Sequence, residues 1–334
     1  MAGLTEAPGA AAEAAASAVL TLGEGLGVLR TREIGSLAHL GDLAVGTGGA
    51  EGNVAIGLAR LGTPVTWLGR VGDDGLGRRI VRELRAEGVT VVAPVDPTAA
   101  TGLLIKESPS AGRTAVTYYR AGSAGSRLSR SDLDAVDIAD FALLHITGIT
   151  PALSPTARAT IDAVLDRATD AGIPVSFDVN HRSALWAGHG GGEAAAETYR
   201  SLAARSSIVF AGADEAALVT GLAPDDPEAL ARALAALGPA EVVVKLGERG
   251  AVALCDGDLT GRSAVAVPVV DTVGAGDAFV AGYLAELLRG GSVADRLDLA
   301  VRTGAAACLH PGDWEGFPSR AELARPDGAD PVSR

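Results

Sequence analysis

The chain has 334 residues, of which 48% are hydrophobic and 21% are charged. It can therefore bury a large core, and its composition excludes an intrinsically disordered chain. Its 28 basic and 41 acidic residues give a net charge of −13. We expect neither nucleic acid nor a membrane as a partner, because both select basic surfaces and no apolar run is long enough to cross a bilayer.

The chain ends and the cysteines give further expectations. Residues 1–17 are rich in alanine and lack the basic start of a secretory signal, so we expect a disordered tail and a cytoplasmic protein. Residues 325–334 are predicted to form a second loose tail. Cys255 and Cys308 lie far apart in the sequence and are interpreted as free thiols in a reducing compartment.

Short apolar runs alternate with helical patterns between these tails. The first run, 18–22, predicts a buried strand that ends in a tight turn at 23–27. Further strands are predicted at 65–68, 141–146, 175–178, 208–211 and 241–246, with a hairpin formed by 251–254 and 264–267. Helices are predicted at 53–61, 75–87, 156–171, 193–204, 214–220, 227–237, 275–288 and 293–308. This alternation predicts an α/β fold with a mostly parallel sheet that helices cover on both faces.

Residues 101–120 interrupt the alternation. Two β-prone runs, 102–107 and 114–119, are joined by a turn-rich segment, which predicts a hairpin. Residues 34–45 are expected to add strands to the same small sheet. Because parallel sheets bind ligands at the carboxyl ends of their strands, the residues that follow each strand are the first candidates for a functional site.

The strongest motif is Asp271-Thr-Val-Gly-Ala-Gly-Asp277, which leads directly into an apolar helix. Its glycines let the backbone turn tightly and approach a ligand, and the helix start offers unpaired N–H groups to an anion. A plain helix start with an acidic first turn would have the same spacing. The sequence lacks the Gly-x-x-x-x-Gly-Lys-Ser/Thr loop of P-loop NTPases and a Gly-x-Gly-x-x-Gly turn placed as in nicotinamide enzymes.

Two widely separated segments resemble a single family. Gly274-Ala-Gly-Asp277 at a helix start resembles the signature of the ribokinase-like, or PfkB, carbohydrate kinases. Gly48-Gly-Ala-Glu-Gly-Asn53 and the following segment 69–77 resemble the other signature region of that family. The resemblance implies a ribokinase-like kinase domain over 18–324, with a mostly parallel central sheet flanked by helices. It also implies a small β-sheet lid formed from about 31–47 and 99–121.

The resemblance further implies phosphoryl transfer from ATP to a sugar hydroxyl, with Mg²⁺ bridging the phosphates. Asp277 would be the general base, and the backbone amides of Gly274, Ala275 and Gly276 would hold the transferring group. The residues expected to bind ATP are Asn180, Arg182, Lys245, Gly247, Gly250, Gly274 and Gly276. An ordinary hairpin turn would explain Gly247 and Gly250 equally well.

The metal-associated segment departs from the family pattern. Glu215 is expected to act indirectly on Mg²⁺, but Gly212 stands where the family usually has Asn. This replacement leaves the predicted base and anion site unchanged.

The expected substrate is a sugar acid. Tyr118-Tyr-Arg120, Asp178-Val-Asn-His-Arg182 and Asp313 together resemble the family members that act on 2-keto-3-deoxygluconate. The residues implied to bind substrate are Gly48, Gly49, Asn53, Tyr118, Arg120, Arg182 and Asp313. Arginine suits this task because its planar fork matches a carboxylate.

Other interpretations of these residues stay open. Tyr118 and Arg120 would also fit ordinary exposed lid positions, Arg182 would also fit a contact to ATP phosphate alone, and Asn53 would also fit a helix N-cap.

Three functions are compatible with this sequence. The first is an ATP-dependent kinase that converts 2-keto-3-deoxygluconate to its 6-phosphate. The second is a kinase of the same fold for a neutral sugar or nucleoside, such as fructose, ribose or adenosine. The third is a non-catalytic sugar-binding protein, against which the intact Asp277 motif argues. The resemblance also implies a homo-oligomer, a dimer or a larger assembly.

Overall fold

The computed structural model describes residues 18–39, 41–110 and 113–324. The predicted tails, 1–17 and 325–334, and residues 111 and 112 of the predicted hairpin turn lie outside the described residues. Within the described ranges, no helix has both the length and the apolar character needed to span a membrane.

Strands and helices alternate along most of the chain. The strands are β1 (Val19–Leu22), β2 (Leu26–Ile34), β3 (Leu43–Gly48), β4 (Val65–Leu68), β5 (Val71–Gly72), β6 (Thr90–Val92), β7 (Val95–Asp96), β8 (Gly102–Ser110), β9 (Arg113–Tyr119), β10 (Leu143–Thr147), β11 (Val175–Asp178), β12 (Ile208–Gly212), β13 (Glu241–Lys245), β14 (Ala251–Cys255) and β15 (Asp258–Arg262). The helices are α1 (Ala50–Arg60), α2 (Gly75–Ala86), α3 (Thr150–Leu153), α4 (Pro155–Ala171), α5 (Ser183–Trp186), α6 (Gly191–Ala203), α7 (Ala213–Thr220), α8 (Pro227–Ala235), α9 (Ala275–Leu287), α10 (Val293–Ala307) and α11 (Arg320–Leu323).

A nine-stranded sheet forms the centre of the molecule, in the order β15-β14-β13-β12-β11-β10-β1-β4-β6. The strands from β13 to β6 are parallel, and β14 and β15 add an antiparallel edge. Helices α4, α6, α7 and α8 bury their apolar sides on one face, and α1, α2, α9 and α10 on the other. Both faces of the strands are therefore buried, which confirms the predicted α/β class.

A second, small sheet has the order β3-β2-β8-β9, and β5 and β7 form a separate parallel pair. The predicted hairpin corresponds to β8 and β9. The turn predicted over 23–27 is wrong in its second half, because β2 already begins at Leu26. The physical reason is alternation, since Leu26 and Val28 point to one face and pack with Leu104 of β8.

The predicted hairpin partner at 264–267 is also wrong. The strand that pairs with β14 is β15, and Cys255 lies opposite Asp258. The two-residue turn between them is Asp256-Gly257, and both residues have positive φ angles, 51° and 87°. Asp-Gly is a favoured sequence for such a hairpin turn, so the local signal was present and was overlooked. Residues 264–267 lie in a loop instead.

Helix α9 is held between α1 and α10 by close contacts at glycines. A Cβ on Gly57 of α1 would lie 2.6 Å from Cβ of Ala281 in α9. A Cβ on Gly282 of α9 would lie 3.1 Å from both Cα of Ala300 and the carbonyl oxygen of Leu299 in α10. These contacts bring the helix axes close together and fix where α9 begins, next to the carboxyl ends of the strands.

We expect Gly282→Ala to lower the free energy of unfolding by about 1–3 kcal/mol, because the added methyl group overpacks against the α10 backbone. Urea unfolding of the wild type and the variant measures this difference. Gly75→Ala is the matched control, since Gly75 also lies in a helix but has open space around its Cβ position. An equal effect of both substitutions would contradict the proposed close packing of α9 on α10.

Candidate active site

A cavity of about 1000 Å³ lies at the carboxyl ends of the parallel strands, next to the small sheet. Most of the predicted site residues line it, from both halves of the chain: Gly49, Asn53, Tyr118, Arg120, Asn180, Arg182, Glu215, Lys245, Gly247, Gly274, Gly276, Asp277 and Asp313. Gly48 does not line this cavity but lies next to Asp313, which does. A Cβ atom on Gly48 would overlap the carboxylate of Asp313, so there is no room for a side chain. Gly250 and Ala275 line an adjoining cavity.

The turn before α9 requires glycine at one position. Gly274 has φ 78°, and a Cβ there would overlap the carbonyl oxygen of Asp313. The amide of Ala275 donates to the carbonyl oxygen of Thr272 (3.3 Å), so it is already partly used. The amides of Gly276 and Asp277 have no acceptor among the described residues. The helix start therefore presents free N–H groups to the cavity, as an anion site requires.

Asp277 is a buried carboxyl group at this helix start, with 7% of its surface exposed. Asn53 Nδ2 donates to its Oδ2 (2.8 Å) and Asn180 Nδ2 donates to its Oδ1 (3.3 Å). Burial raises the pKa of Asp277 to about 7, although the hydrogen bond from Asn53 and the charge of Arg182 oppose this rise. A carboxyl group with a pKa near neutrality can take a proton from a hydroxyl and release it again, as a general base must.

A buried ion pair lies beside Asp277. Lys245 Nζ, at the end of β13, donates to both carboxylate oxygens of Asp178, at the end of β11 (2.8 and 2.9 Å). Burial is the largest single influence and disfavours the ammonium, but the charges of Asp178, Glu215 and Asp277 and the hydrogen bond to Asp178 together outweigh it and raise the pKa of Lys245. The lysine therefore stays charged, and its Nζ is 3.8 Å from the Cβ position of Gly276. Positive charge is thus fixed next to the free amides of the helix start.

The two cations by which the small sheet lines the cavity, Arg120 and Lys106, are paired with carboxylates. Arg120 Nε donates to Glu24 Oε2 (2.7 Å), and its guanidinium lies over the ring of Tyr118, 4.9 Å from the centroid. Lys106 of β8 forms an ion pair with Asp313 and is 3% exposed. The predicted Arg120 and Asp313 therefore do line the cavity, but each is already neutralised by an oppositely charged side chain.

Arg182 behaves differently from Arg120. It is exposed, its Nη1 donates to the backbone oxygen of His181 (3.0 Å), and no carboxylate in the described part of the chain lies within ion-pair distance. It also lines the main cavity. Arg182 is thus a cation available to an anionic ligand.

Sequence reasoning did not assign seven charged residues of this cavity to the site: Glu24, Glu51, Lys106, Asp178, Asp214, Asp225 and Arg249. Glu51 accepts hydrogen bonds from the hydroxyls of Thr147 and Thr150 (2.7 Å each), and burial raises its pKa. Lys106 carried a usable signal, because the chain has only two lysines and the other, Lys245, was already a candidate. The ion pairs themselves join residues too distant in sequence to be read from it.

Glu215 offers little capacity for direct metal binding. Its Oε1 accepts a hydrogen bond from the amide of His181 (2.8 Å), and its Oε2 accepts one from the amide of Gly212 (2.7 Å). The side chain therefore caps the N-terminus of α7. Among the residues that the structure describes, no group of three or more His, Cys, Asp or Glu side chains could hold a metal ion. A metal at this site would therefore have to be held largely by its ligand's own oxygens and by water.

The adjoining cavity of about 950 Å³ shares Lys245, Gly247 and Gly276 with the first. Apart from the charged Glu248 and Arg249, its walls are mainly apolar or small, among them Val265, Val267, Phe279, Val301, Gly304, Ala305 and Cys308. The sequence analysis did not assign these residues to a site. An apolar slot that opens beside an anion site suits a ligand with a flat ring at one end and phosphates at the other.

We expect the stability difference between wild type and Asp277→Asn to depend on pH. Burial holds the pKa of Asp277 at about 7 in the folded state, against an ordinary 3.8, so the native state binds an extra proton between those values. The wild type should therefore lose stability relative to Asp277→Asn as the pH rises through this window, on the order of 4 kcal/mol in total. Urea unfolding of both proteins from pH 4 to pH 9 measures this, and a constant difference would contradict the raised pKa.

Comparisons with known proteins agree with this geometry. The family model described as pfkB family carbohydrate kinase matches residues 27–320. The 2-dehydro-3-deoxygluconokinase of Bacillus subtilis (strain 168) is 37% identical over 310 residues, which cover 91% of this chain and 94% of that protein. A fructokinase of Klebsiella pneumoniae is 34% identical over 285 residues, which cover 83% of this chain and 91% of that protein.

The crystal structure of a putative ribokinase II from E. coli, in complex with ATP and Mg²⁺, is 25% identical, with a TM-score of 0.84 over 92% of this chain and 97% of that one. The chain belongs to the pfkB family of carbohydrate kinases, and its fold is ribokinase-like.

Proposed function

We propose that this carbohydrate kinase transfers the γ-phosphoryl group of ATP to a hydroxyl of a sugar acid, 2-keto-3-deoxygluconate, and forms its 6-phosphate. The observation that carries the proposal is Asp277, a buried carboxyl group with a pKa of about 7 at a helix start with free backbone amides. Phosphoryl transfer needs in-line positioning and donors fixed in advance more than covalent chemistry, and this arrangement supplies both.

Each group near Asp277 has a proposed task. Asp277 takes the proton of the attacking hydroxyl, and the backbone at Gly274, Ala275 and Gly276 surrounds the transferring phosphoryl group. The amides of Gly276 and Asp277 supply the free donors. Lys245, charged and adjacent to Gly276, adds a fixed positive charge. Donors that the fold holds in place need little reorganisation at the moment of transfer.

ATP is proposed to occupy the two joined cavities. Its adenine ring would enter the slot lined by Phe279 and Val301, and its phosphates would lie at the shared wall. Gly247 and Gly250 let the backbone approach the nucleotide, and Asn180 and Arg182 face the phosphate side. The ATP complex of the E. coli structural neighbour supports this cofactor. Mg²⁺ would come with ATP and neutralise phosphate charge, with Glu215 in contact through water at most.

A sugar acid is proposed on the basis of charge. Arg182 is exposed in the cavity and has no carboxylate partner within the described ranges, so its fork can bind a substrate carboxylate. The name of the Bacillus subtilis relative points to the same substrate class. Arg120, with Tyr118 stacked on it, contributes its remaining N–H groups. The sugar hydroxyls are assigned to Asn53, Asp313 and the turn at Gly48 and Gly49.

A neutral sugar is the second candidate, and two observations favour it. The Klebsiella pneumoniae relative is a fructokinase. In addition, Glu24 neutralises Arg120 and Asp313 neutralises Lys106, so two of the cations in this part of the cavity carry no free charge. The two candidates differ in whether a substrate carboxylate is required.

The small sheet is proposed to act as the lid of a single kinase domain over 18–324. Its inner face, with Leu104, Lys106 and Tyr118, covers the cavity next to Asp277. When it covers the substrate it excludes water, which limits hydrolysis of ATP without transfer.

A panel of substrates tests the reaction and the carboxylate requirement together. We expect ADP release with Mg-ATP and 2-keto-3-deoxygluconate, and none above background with fructose, ribose or adenosine, while its galactonate-derived epimer measures the selectivity between the two acids. Asp277→Asn should lower kcat about 10²–10⁴-fold, because the proton acceptor is lost. Turnover of fructose alone would establish the neutral-sugar candidate, and sugar binding without turnover would favour a binding protein.

We also propose a homo-oligomer, formed through the outer face of the small sheet. Register places Val45, Leu29 and Ile105 side by side on this face, with Leu103 opposite Tyr119. Val45 is 44% exposed and Tyr119 is 61% exposed. A sheet with apolar side chains on both faces needs a second cover, and another copy of the same face provides one.

Light scattering after gel filtration should give at least twice the mass of one chain for the wild type. Tyr119→Glu should give the monomer mass, because a charge placed in the apolar contact is costly to bury. Leu222→Glu, at a residue that is 44% exposed outside the small sheet, is the matched control and should not change the mass. A monomeric wild type would refute the proposal.

A further inference from the structure

Carboxamide side chains are almost absent from this chain. Its 334 residues include two asparagines, Asn53 and Asn180, and no glutamine. Both asparagines are buried, and both donate to the same carboxyl group, that of Asp277. A protein that uses no amide side chain elsewhere thus places both of them on one pair of oxygen atoms.

The two amides reach Asp277 from different elements. Asn53 lies in the first turn of α1, where its own N–H donates to the carbonyl oxygen of Gly49 (2.7 Å), and its Nδ2 is 2.8 Å from Oδ2. Asn180 follows β11, and its Nδ2 is 3.3 Å from Oδ1. Each oxygen of the carboxyl group therefore has its own amide donor, which fixes the plane of the group in the cavity.

The backbone of Asn180 supports a dedicated role. Its φ is 39°, in the left-handed region that side chains other than glycine rarely adopt. Its neighbours hold it there, because the amide of Val179 donates to Phe210 (2.9 Å) and that of His181 to Glu215 (2.8 Å). Asparagine tolerates a positive φ better than most residues, so the backbone at position 180 accommodates an asparagine and disfavours most other side chains.

The charged groups that face Asp277 are Arg182, Asp178 and Lys245. Asp178 and Lys245 act in opposite directions, because the charge of Asp178 raises the pKa of Asp277 and that of Lys245 lowers it. Arg182 is exposed, and water screens its charge. The amides, by contrast, contact the carboxylate directly in a buried site, where hydrogen bonds to a charged group are strongest.

We propose that Asn53 and Asn180 are positioning residues of the general base, which together orient the Asp277 carboxylate and keep it ionised despite its burial. The proposal rests on the proposed function, in which Asp277 accepts a proton. It gives both asparagines a role separate from the contacts to sugar and ATP considered for them above.

The pH dependence of kcat tests the proposal. Asn53→Ala removes one donor and keeps α1 intact, and Asn180→Gly removes the other and relieves the positive φ. We expect each variant to raise the apparent pKa of the base by about one unit, so that kcat falls about tenfold at pH 6 and recovers at pH 9. Asp225→Asn, at an exposed residue on the rim of the same cavity, is the matched control and should leave the profile unchanged.

A second variant covers the case in which Asn53→Ala does not fold. Asn53→Asp has the same shape, but it places a second carboxyl group against Asp277 and should raise the apparent pKa further. Loss of kcat by the same factor at every pH, or a higher KM for ATP or sugar with an unchanged profile, would overturn the proposal.

A readout without turnover separates this proposal from the proposed function. The pH-dependent difference in stability between each asparagine variant and its Asp277→Asn double variant reports the ionisation of Asp277 directly. If this stability difference changes at a higher pH than it does in the wild-type comparison, the result supports the asparagine role even if no substrate of the panel is phosphorylated. If the stability difference changes at the same pH as in the wild-type comparison, the asparagine role is refuted even in an active kinase.

Discussion

The backbone at Gly274 touches the carbonyl oxygen of Asp313 so closely that only glycine fits there. This contact joins the start of α9 to the loop that follows α10. The side chain of Asp313 extends the connection, since it pairs with Lys106 of the small sheet and rests against Gly48 at the end of β3. One residue thus contacts the start of α9, the small sheet and the turn after β3. Because interiors are close-packed, a displacement of any of these parts is felt by the others.

The second organising feature is the pairing of buried charge. Glu24 with Arg120, Lys106 with Asp313, and Asp178 with Lys245 all lie at the cavity, and each would be costly to bury alone. Pairing leaves the cavity polar without a large net charge. Asp277 differs from the other acids, because neutral amides contact it in place of a cation. Burial raises the pKa of Asp277 to about 7, and the hydrogen bond from Asn53 opposes this rise without adding a charge to the site.

Much of the fold could be predicted from sequence, because its signals are local. The alternation of apolar runs and helical patterns predicted the parallel sheet, and Gly274-Ala-Gly-Asp277 predicted the helix start at which the structure shows free amides and a buried carboxyl group. The predictions at β2 and β15 were wrong although the sequence contains local signals for both strands. These signals are the alternation of Leu26 and Val28 and the turn at Asp256-Gly257. The partners of Arg120 and Asp313 could not be predicted in this way. They depend on tertiary contacts between residues far apart in the chain, which a single sequence does not encode by spacing.

The position of Asp313 near the carboxyl end of the chain also has a consequence during synthesis. A nascent chain that has emerged only as far as α10 already contains every strand of the central sheet, both lysines, both asparagines and Asp277. It still lacks the residue that supports the turn at Gly274 and pairs with Lys106. The ribosome therefore delivers this support of the site only after every strand of the central sheet, so a nascent chain that ends at α10 holds the sheet but not a complete site.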